Sequence, residues 1–297
     1  RRLVGLDAAT GRVRWQHRVA GDVAEAHPTA ALAAGGGAVY FACGSLLTAV
    51  QMHRGTQIWT ERTAGGNTAI AVADGVLHAT SDAAMVQTFD AHTGQFLWRW
   101  NTPAGQPCAP PAAAGGIAFV CAEDGTLYAV GARQGLFGAK GAVVWSAPLA
   151  GSALAAPAVV NGVVYVGARD GQVYAFNAAT GHRLWVYAIG QQVNHRPVVA
   201  DGTVYVATGA FLPGSEDQQA DGWRGFFNLI GQIVKTVVAD GELHALDAAT
   251  GQPRWTISLE SGARSASPAV ADGQVFWAGS LGRLLAIDAA TGAHQAS

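Results

Sequence analysis

The residues of this chain that could do chemistry are few and widely spaced. The 297 residues include nine histidines and three cysteines, and no two cysteines have the C-x₂₋₄-C spacing of a zinc site. The histidines also lack a metal-binding spacing, and no nucleophile-elbow, P-loop or dinucleotide-binding glycine motif occurs. The sequence therefore offers groups for binding rather than a recognisable catalytic constellation.

Polar and charged side chains recur at one kind of place, close to the start of short apolar segments. They are Glu25, His27, Asn67, Asn194, His195, Arg196 and Arg264. Amide, imidazole and guanidinium groups of this kind could bind a small polar ligand through hydrogen bonds. The alternative is that they bond only water or the ends of the neighbouring strands.

The stretch 211–239 is the most distinctive segment of the chain. After an acidic beginning, its apolar residues follow i, i+3, i+4, i+7 spacing, which predicts an amphipathic helix. The apolar face includes Trp223, Phe226, Phe227 and Ile230. That face could dock a protein partner or be buried against the rest of the chain. The segment has too few cationic residues to indicate a membrane-surface helix.

An internal repeat determines the elements that must position these groups. The motif Asp-x-x-Thr-Gly-x-x-x-Trp returns so that its glycines are separated by 44, 39, 47, 40, 70 and 41 residues. Six of the nine tryptophans occupy the repeat position, and they are Trp15, Trp59, Trp98, Trp145, Trp185 and Trp255. A period of about 40 residues fits four short strands with their turns, which is one blade of a β-propeller.

The chemistry of the motif assigns its place in the blade. Asp or Asn can bond its side chain to backbone N–H groups two residues later, and Gly supplies the positive φ that ends the turn. We therefore place this turn between the third and fourth strands, with the Trp on the fourth strand filling the gap between neighbouring blades. Segments such as 156–166, with Asn161-Gly162 as a two-residue turn, supply the first two strands.

The phase of the repeat predicts one all-β propeller domain over residues 1–297. Residues 1–18 hold only the last two strands of a blade, and six further units begin near residues 26, 66, 107, 155, 194 and 265. We expect six complete blades and a half blade, as part of a ring of seven or eight. The polar groups named above would then converge at one mouth of the channel, with 211–239 rising from the same face.

The motif and its repetition over essentially the whole chain resemble the pyrroloquinoline-quinone-like (PQQ-like) propeller family. The resemblance implies eight blades, and it is specific for fold but weak for function. The family includes quinoprotein dehydrogenases, the outer-membrane assembly lipoprotein BamB and propellers attached to bacterial membrane kinases. Its dehydrogenases use adjacent cysteines, acidic calcium ligands and a catalytic Asp, whereas this sequence has no adjacent cysteines and only Glu25 as a carboxylate at the mouth.

We therefore expect a non-catalytic binding, scaffold or sensor propeller that works without PQQ or calcium. Its partner would be a protein or a small ligand in a bacterial cell envelope, on the periplasmic or extracellular side. The alternative is a fragment of a PQQ-dependent quinoprotein dehydrogenase. The net charge of −2 gives no reason to expect nucleic acid, and no apolar run is long enough to span a bilayer.

Two cysteines fall on adjacent predicted strands of one blade. Cys108 and Cys121 could form a disulfide in an oxidising compartment or remain two small buried thiols. A second insertion, from Gly131 to Lys140, is expected to lengthen the turn between the third and fourth strands of that blade.

Overall fold

The computed structural model describes residues 2–19, 31–103, 109–135, 138–153, 155–208, 241–258, 267–278 and 284–293. Every regular element in these residues is a β-strand. The described residues therefore include no helix that could cross a membrane. The chain divides into two compact units. Unit 1 comprises Arg1–Val164 and Asn177–His182, and unit 2 comprises Tyr165–Phe176 and Arg183–Ser297.

Each strand pairs antiparallel with its neighbours in sequence, so the chain builds one sheet after another. The first sheet is a hairpin of β1 (Arg2–Leu6) and β2 (Val13–Arg18). The next two sheets contain β3 (Leu32–Gly35), β4 (Ala38–Cys43), β5 (Leu46–Gln51) and β6 (Gln57–Arg62), then β7 (Asn67–Ala73), β8 (Val76–Ser81), β9 (Met85–Asp90) and β10 (Phe96–Asn101).

Three more four-stranded sheets and a three-stranded sheet follow. The four-stranded sheets contain β11 (Ala112–Ala114), β12 (Ile117–Cys121), β13 (Thr126–Gly135) and β14 (Gly138–Pro148); β15 (Ala158–Val160), β16 (Val163–Gly167), β17 (Gln172–Asn177) and β18 (Arg183–Ala188); and β19 (Val198–Ala200), β20 (Thr203–Ala207), β21 (Glu242–Asp247) and β22 (Pro253–Ser258). The last described sheet contains β23 (Ala269–Ala271), β24 (Gln274–Ala278) and β25 (Leu284–Asp288).

These sheets are propeller blades, as the repeat predicts. The sequence predicts six four-stranded units after the first hairpin, and the described residues contain five of them and a three-stranded sheet. The fourth strand expected after β25 would fall at 294–297, which lies outside the described residues. The insertion 211–239 lies outside them too, so the helix predicted there stays a prediction.

Burial within a blade follows strand position. The second and third strands are buried on both faces, as in β20 and β21, because sheets pack against each side of them. The fourth strands β2, β18 and β22 alternate between half-buried and exposed side chains. One face of each of these outer strands is therefore left to solvent, and the repeat Trp lies on the other.

The two turns of a blade meet at one end of its sheet. Ala248 lies in the turn between β21 and β22, and Gly202 lies in the turn between β19 and β20. Ala248 N donates to Gly202 O at 3.0 Å. Ala91 N and Gly75 O repeat this bond at 2.9 Å in unit 1. Asn161 has φ 51° and Gly162 has φ 75°, the left-handed pair that a two-residue Asn-Gly turn requires.

The Asp-x-x-Thr-Gly turns make the side-chain bonds that the motif predicts. Asp247 Oδ1 accepts from both the N–H and the hydroxyl of Thr250 at 2.9 Å, and Gly251 ends the turn with φ 72°. The same pair of bonds is found in the turns that begin at Asp7, Asp90, Asn177 and Asp288.

Repeat tryptophans join one sheet to the next inside each unit. In unit 2, Trp185 Nε1 donates to Ala248 O at 3.0 Å, and the turn glycine of that next sheet, Gly251, lies against the face of the indole. A Cβ at Gly251 would stand 2.6 Å from Trp185 Cδ2, so only glycine fits. Corresponding indole-to-carbonyl bonds join Trp15 to Met52, Trp59 to Ala91, Trp145 to Ala178 and Trp255 to Ala289.

The sheet β11–β14 departs from this pattern. Its third and fourth strands continue as a hairpin to Gly135 and Gly138, with Arg133 opposite Lys140, which confirms the predicted lengthening of this turn. Trp98, from the sheet before, lies against Gly141 of this hairpin, and no hydrogen bond from its Nε1 is found in the described part of the chain. Apolar contact therefore replaces the indole-to-carbonyl bond at this junction.

Candidate functional site

The structure describes the side chains of three predicted ligand-binding residues, Asn194, His195 and Arg196. The backbone of Asn67 begins β7, but its side chain is outside the description. Also outside the described residues are the predicted mouth residues Glu25, His27 and Arg264 and the predicted partner-binding residues Trp223, Phe226, Phe227 and Ile230. The convergence of all these groups stays a prediction, and the candidate site consists of Asn194, His195 and Arg196.

Asn194, His195 and Arg196 lie in the loop between β18 and β19, within unit 2. The first part of this loop is tied to the turn between β16 and β17. Gly171 O accepts from Ile189 N at 2.8 Å, and Ala168 O accepts from Val193 N at 3.1 Å. The Val193 side chain is fully buried. The backbone just before Asn194 is therefore fixed by hydrogen bonds and packing within the protein itself.

A second tie joins the same loop to the following sheet. Thr208 Oγ1 donates to Gln191 Oε1 at 3.0 Å, directly after β20. Glu242 N donates to Thr208 Oγ1 at 3.0 Å, and Thr208 N donates to Glu242 O at 2.8 Å, so Thr208 is itself fixed at the start of β21. Gln191 thereby links two consecutive sheets of unit 2, three residues before Asn194.

Asn194 is the unusual residue of this loop. The residue is half-buried, its Oδ1 is shielded from solvent, and no hydrogen-bond partner for Oδ1 is found in the described part of the chain. A buried acceptor without a donor costs about 1–3 kcal/mol, so buried amides are nearly always paired. The loop therefore contains a buried side-chain acceptor that no described residue satisfies.

His195 and Arg196 supply different chemistry beside Asn194. Burial lowers the pKa of His195 below its usual value, so the half-buried imidazole is neutral near pH 7 and presents one N–H donor and one acceptor. Arg196 is exposed and supplies a guanidinium group. Together the three residues offer amide, neutral imidazole and guanidinium groups, which suit recognition of a polar ligand better than nucleophilic chemistry.

A buried histidine network lies in the adjoining sheet. His244 Nε2 is 3.1 Å from Glu242 Oε2, and His244 Nδ1 is 3.1 Å from Thr256 Oγ1. Burial lowers the pKa of His244, while the Glu242 carboxylate acts in the opposite direction. A histidine, a carboxylate and a hydroxyl are also the residue types of many catalytic sites. However, the preceding sheet has a polar pair at the same position, which indicates a structural role for His244.

That counterpart is a tyrosine–aspartate pair at the same register. Tyr174 and His244 each immediately precede, on the third strand, the alanine opposite the repeat Trp. Tyr174 OH donates to Asp170 Oδ2, and Tyr128 OH donates to Asp124 Oδ2 at 2.8 Å in unit 1. The sequence signal is Asp-Gly-x-x-Tyr, which our sequence reasoning missed. His244 thus occupies a recurring polar position of the blade.

No group of three or more metal-ligating side chains is found in the described ranges. Cys121 is buried on β12, and Cys108 lies outside those ranges, so the alternatives for this pair are not decided. These observations leave the loop with Asn194, His195 and Arg196 as the candidate site.

Comparisons with solved structures agree with the blade architecture. The crystal structure of BamB from Moraxella catarrhalis matches with a TM-score of 0.64 at 18% identity, covering 89% of this chain and 70% of that chain. The crystal structure of the computationally designed Ika8 protein matches with a TM-score of 0.70 at 18% identity, covering 98% and 79%. At this identity the likeness concerns the fold. A search of the curated proteins finds no match.

The comparison with protein families is more specific. The sequence model of one family matches in four overlapping or adjoining segments, at residues 1–99, 44–137, 135–226 and 228–295, and so spans nearly the whole chain. That family is described as outer membrane protein assembly factor BamB and carries the PQQ-like repeat. On the repeat, the blades and this match, the chain belongs to the PQQ-like propeller family of the outer membrane protein assembly factor BamB.

Proposed function

We propose that this chain is a non-catalytic scaffold that binds a protein partner on the periplasmic side of a bacterial envelope, in the assembly of outer-membrane proteins. The family match over residues 1–295 is the observation that carries the proposal. The geometry is consistent with a binding role, because the loop with Asn194 is fixed by its neighbours and carries the half-buried His195 and the exposed Arg196. We further propose that this role needs neither PQQ nor calcium.

Photocrosslinking in the host cell tests the proposed partner class. The photoreactive residue p-benzoylphenylalanine replaces Arg196, which is exposed at the candidate site, and the crosslinked protein is identified by mass spectrometry. The matched control carries the same residue at Gln95, which is exposed in the turn between β9 and β10, at the opposite end of a blade. We expect a crosslink from position 196 to a component of outer-membrane protein assembly, and none from position 95.

Deletion of the gene provides the functional measurement. The amount of folded β-barrel protein in the outer membrane should fall, and the intact gene should restore it in medium without PQQ. A crosslink to a membrane kinase, with unchanged outer-membrane proteins after deletion, would instead establish the sensor role. Restoration that depends on added PQQ would overturn the cofactor-free proposal.

A further inference from the structure

Asn161 is the only asparagine of the sequence that is followed by glycine. Glycine has no side chain to crowd its own backbone nitrogen, so that nitrogen can reach the carboxamide of the residue before it. Attack on the side-chain carbon Cγ closes a five-membered ring and releases ammonia, and water then reopens the ring. An Asn-Gly step is therefore a place where a protein can change its own covalent structure.

The structure leaves both reacting groups of this step accessible. Asn161 and Gly162 are exposed in the turn between β15 and β16. A Cβ placed on Gly162 would meet no atom within 4 Å, so the space around the turn is open. In the described part of the chain, neither Gly162 N nor the Asn161 carboxamide forms a hydrogen bond. The nitrogen that attacks and the carbon that is attacked are thus both unprotected.

Two other asparagines show how the fold blocks the same reaction. Ala178 follows Asn177, and its N donates to Gly162 O at 2.8 Å. Thr102 follows Asn101, and its N donates to a main-chain carbonyl at 2.9 Å. In both places, the nitrogen that would attack the carboxamide is held in a hydrogen bond. The side chain of the following residue also crowds the ring that would form.

The fold already contains the aspartate product of this reaction at equivalent turns. An Asp-Gly pair joins the first and second strands in three other sheets, and its aspartates are Asp74, Asp201 and Asp272. Their φ angles are 51°, 47° and 50°, and that of Asn161 is 51°. Asp74 Oδ2 accepts from Gly115 N at 2.7 Å. A carboxylate therefore fits at this turn position without a change of backbone conformation.

The second product fits this turn less well. If water attacks the main-chain carbonyl of the ring, the chain continues through the side chain as isoaspartate, with one more backbone atom before Gly162. The turn joins two neighbouring strands through only two residues, and Gly162 O accepts from Ala178 N at 2.8 Å. The longer link would displace that carbonyl and weaken its tie to the turn between β17 and β18.

We propose that Asn161 is a site of spontaneous deamidation, in which Gly162 N attacks Asn161 Cγ and the side-chain nitrogen leaves as ammonia. Water is the co-reactant, and it opens the resulting succinimide to aspartate or isoaspartate. The reaction needs no partner, cofactor or enzyme. It adds one negative charge to a chain whose net charge is −2. The aspartate product keeps the blade, whereas the isoaspartate product loosens one of its turns.

Peptide mapping by mass spectrometry tests the site. The purified full chain is incubated at mildly alkaline pH, where more of the Gly162 amide is deprotonated, and deamidation at each asparagine is followed with time. We expect position 161 to react several-fold faster than Asn101 and Asn177, and its rate to fall at mildly acidic pH. A rate at position 161 no faster than at the other two overturns the proposal.

A matched variant separates the effect of structure from that of sequence. Ala178→Gly gives Asn177 the same following residue as Asn161, while the nitrogen of residue 178 keeps its bond to Gly162 O. We expect Asn177 in this variant to deamidate several-fold more slowly than Asn161 in the same molecule. Equal rates at the two positions would contradict the role assigned to the free Gly162 nitrogen. Circular dichroism checks that the variant keeps its β-structure.

The two products are distinguished by hydrogen exchange at Ala178 N, which donates to Gly162 O. Asn161→Asp supplies the aspartate product directly and should exchange as the wild type does, because three Asp-Gly turns have the same backbone angle. In aged protein, exchange at Ala178 should accelerate in proportion to the isoaspartate content, which enzymatic methylation of the freed carboxyl group measures. Faster exchange in Asn161→Asp would show that the aspartate product does not fit this turn.

Discussion

Trp185 lies flat on Gly251, the residue that ends the turn of the next blade in unit 2. A Cβ at Gly251 would stand 2.6 Å from Trp185 Cδ2, and the same indole donates from Nε1 to Ala248 O at 3.0 Å. The turn motif and the tryptophan of consecutive repeats are therefore two halves of one joint. Several glycines of the motif meet a tryptophan in this way, which explains their place in the repeat.

Replacing Gly251 with alanine should destabilise the protein more than its backbone angle alone implies. A left-handed alanine costs about 1–2 kcal/mol, and overpacking against the indole should add about 1–3 kcal/mol. Gly273→Ala is the control, because its φ of 71° is nearly that of Gly251 at 72°, and no atom lies within 4 Å of its Cβ. Urea unfolding followed by tryptophan fluorescence measures both variants. Equal losses of unfolding free energy in the two variants would contradict this prediction. They would mean that the Trp185 indole shifts to make room for the added methyl group.

His78 should make the protein sensitive to mild acid. Burial lowers its pKa to about 4, so the fold favours the neutral imidazole. The unfolded chain takes up a proton near pH 6.5, and stability should therefore decline as pH falls from about 6.5 toward 4. Unfolding free energies measured across this range should show the slope.

The double variant His78→Phe/Thr88→Ala is designed to remove that slope. His78 Nδ1 bonds Thr88 Oγ1 at 2.9 Å, so both residues must change to avoid an unpaired hydroxyl. The result copies Phe119 opposite Ala129, the pair at the same register of the next blade. We expect stability at pH 7 to be kept or improved and the decline between pH 6.5 and 4 to shrink. An unchanged slope would assign the proton uptake to another group.

Asp247 should control stability at lower pH. Hydrogen bonds from Arg254 and Thr250 lower the pKa of Asp247 to about 2, so its contribution is present above the unfolded pKa near 4 and is lost as pH falls toward 2. Asp247→Asn keeps the turn, because Asn177 makes the same bonds to Thr180 in another blade. The variant should be less stable at pH 5 and lose less on acidification to pH 2.5. A wild-type profile in the variant would contradict the assignment.

Thr208 should govern the order of the candidate site. Thr208→Val keeps the side-chain shape but removes the hydrogen bond to Gln191 Oε1, together with the one accepted from Glu242 N. Hydrogen exchange of the amides at 189–193 should accelerate, because one of two ties on the loop is lost. Thr48→Val is the control, since it removes a threonine hydroxyl that bonds Thr60 within unit 1. Unchanged exchange in Thr208→Val would show that the bonds to Ala168 and Gly171 suffice.

The repeat motif made the fold predictable, because it encodes local turns and strands. It predicts much less of the candidate site, which depends on contacts between sheets. The spacing of Asp247, Gly251 and Trp255 encodes a local turn and a strand, so the blades could be derived from sequence. The position of Asn194 before a first strand could also be derived. Its unpaired oxygen could not, because pairing depends on contacts between sheets that no local pattern specifies.

The recurring aromatic contacts show a further limit. Tyr205 packs on Trp255 with ring centroids 5.8 Å apart, and His78 packs on Trp98 at 5.7 Å. Tyrosine and histidine thus occupy the same structural position, although as isolated residues they suggest different chemistry. Only the register of the blade identifies His78 as a packing residue with a buried ring.

The hairpin of β13 and β14 makes one joint of unit 1 respond to temperature differently from the others. Trp98 meets this hairpin at Gly141, and Trp100 meets Tyr128 with ring centroids 5.3 Å apart, so the two tryptophans contribute to this joint through apolar contact. A hydrogen bond from Gly115 N to Asp74 Oδ2 at 2.7 Å also crosses the joint. Apolar burial stabilises less as temperature falls, whereas an indole-to-carbonyl bond does not share that dependence. In the cold, the contact of Trp98 with Gly141 should therefore weaken more than the tryptophan contacts of this unit that include an indole-to-carbonyl bond.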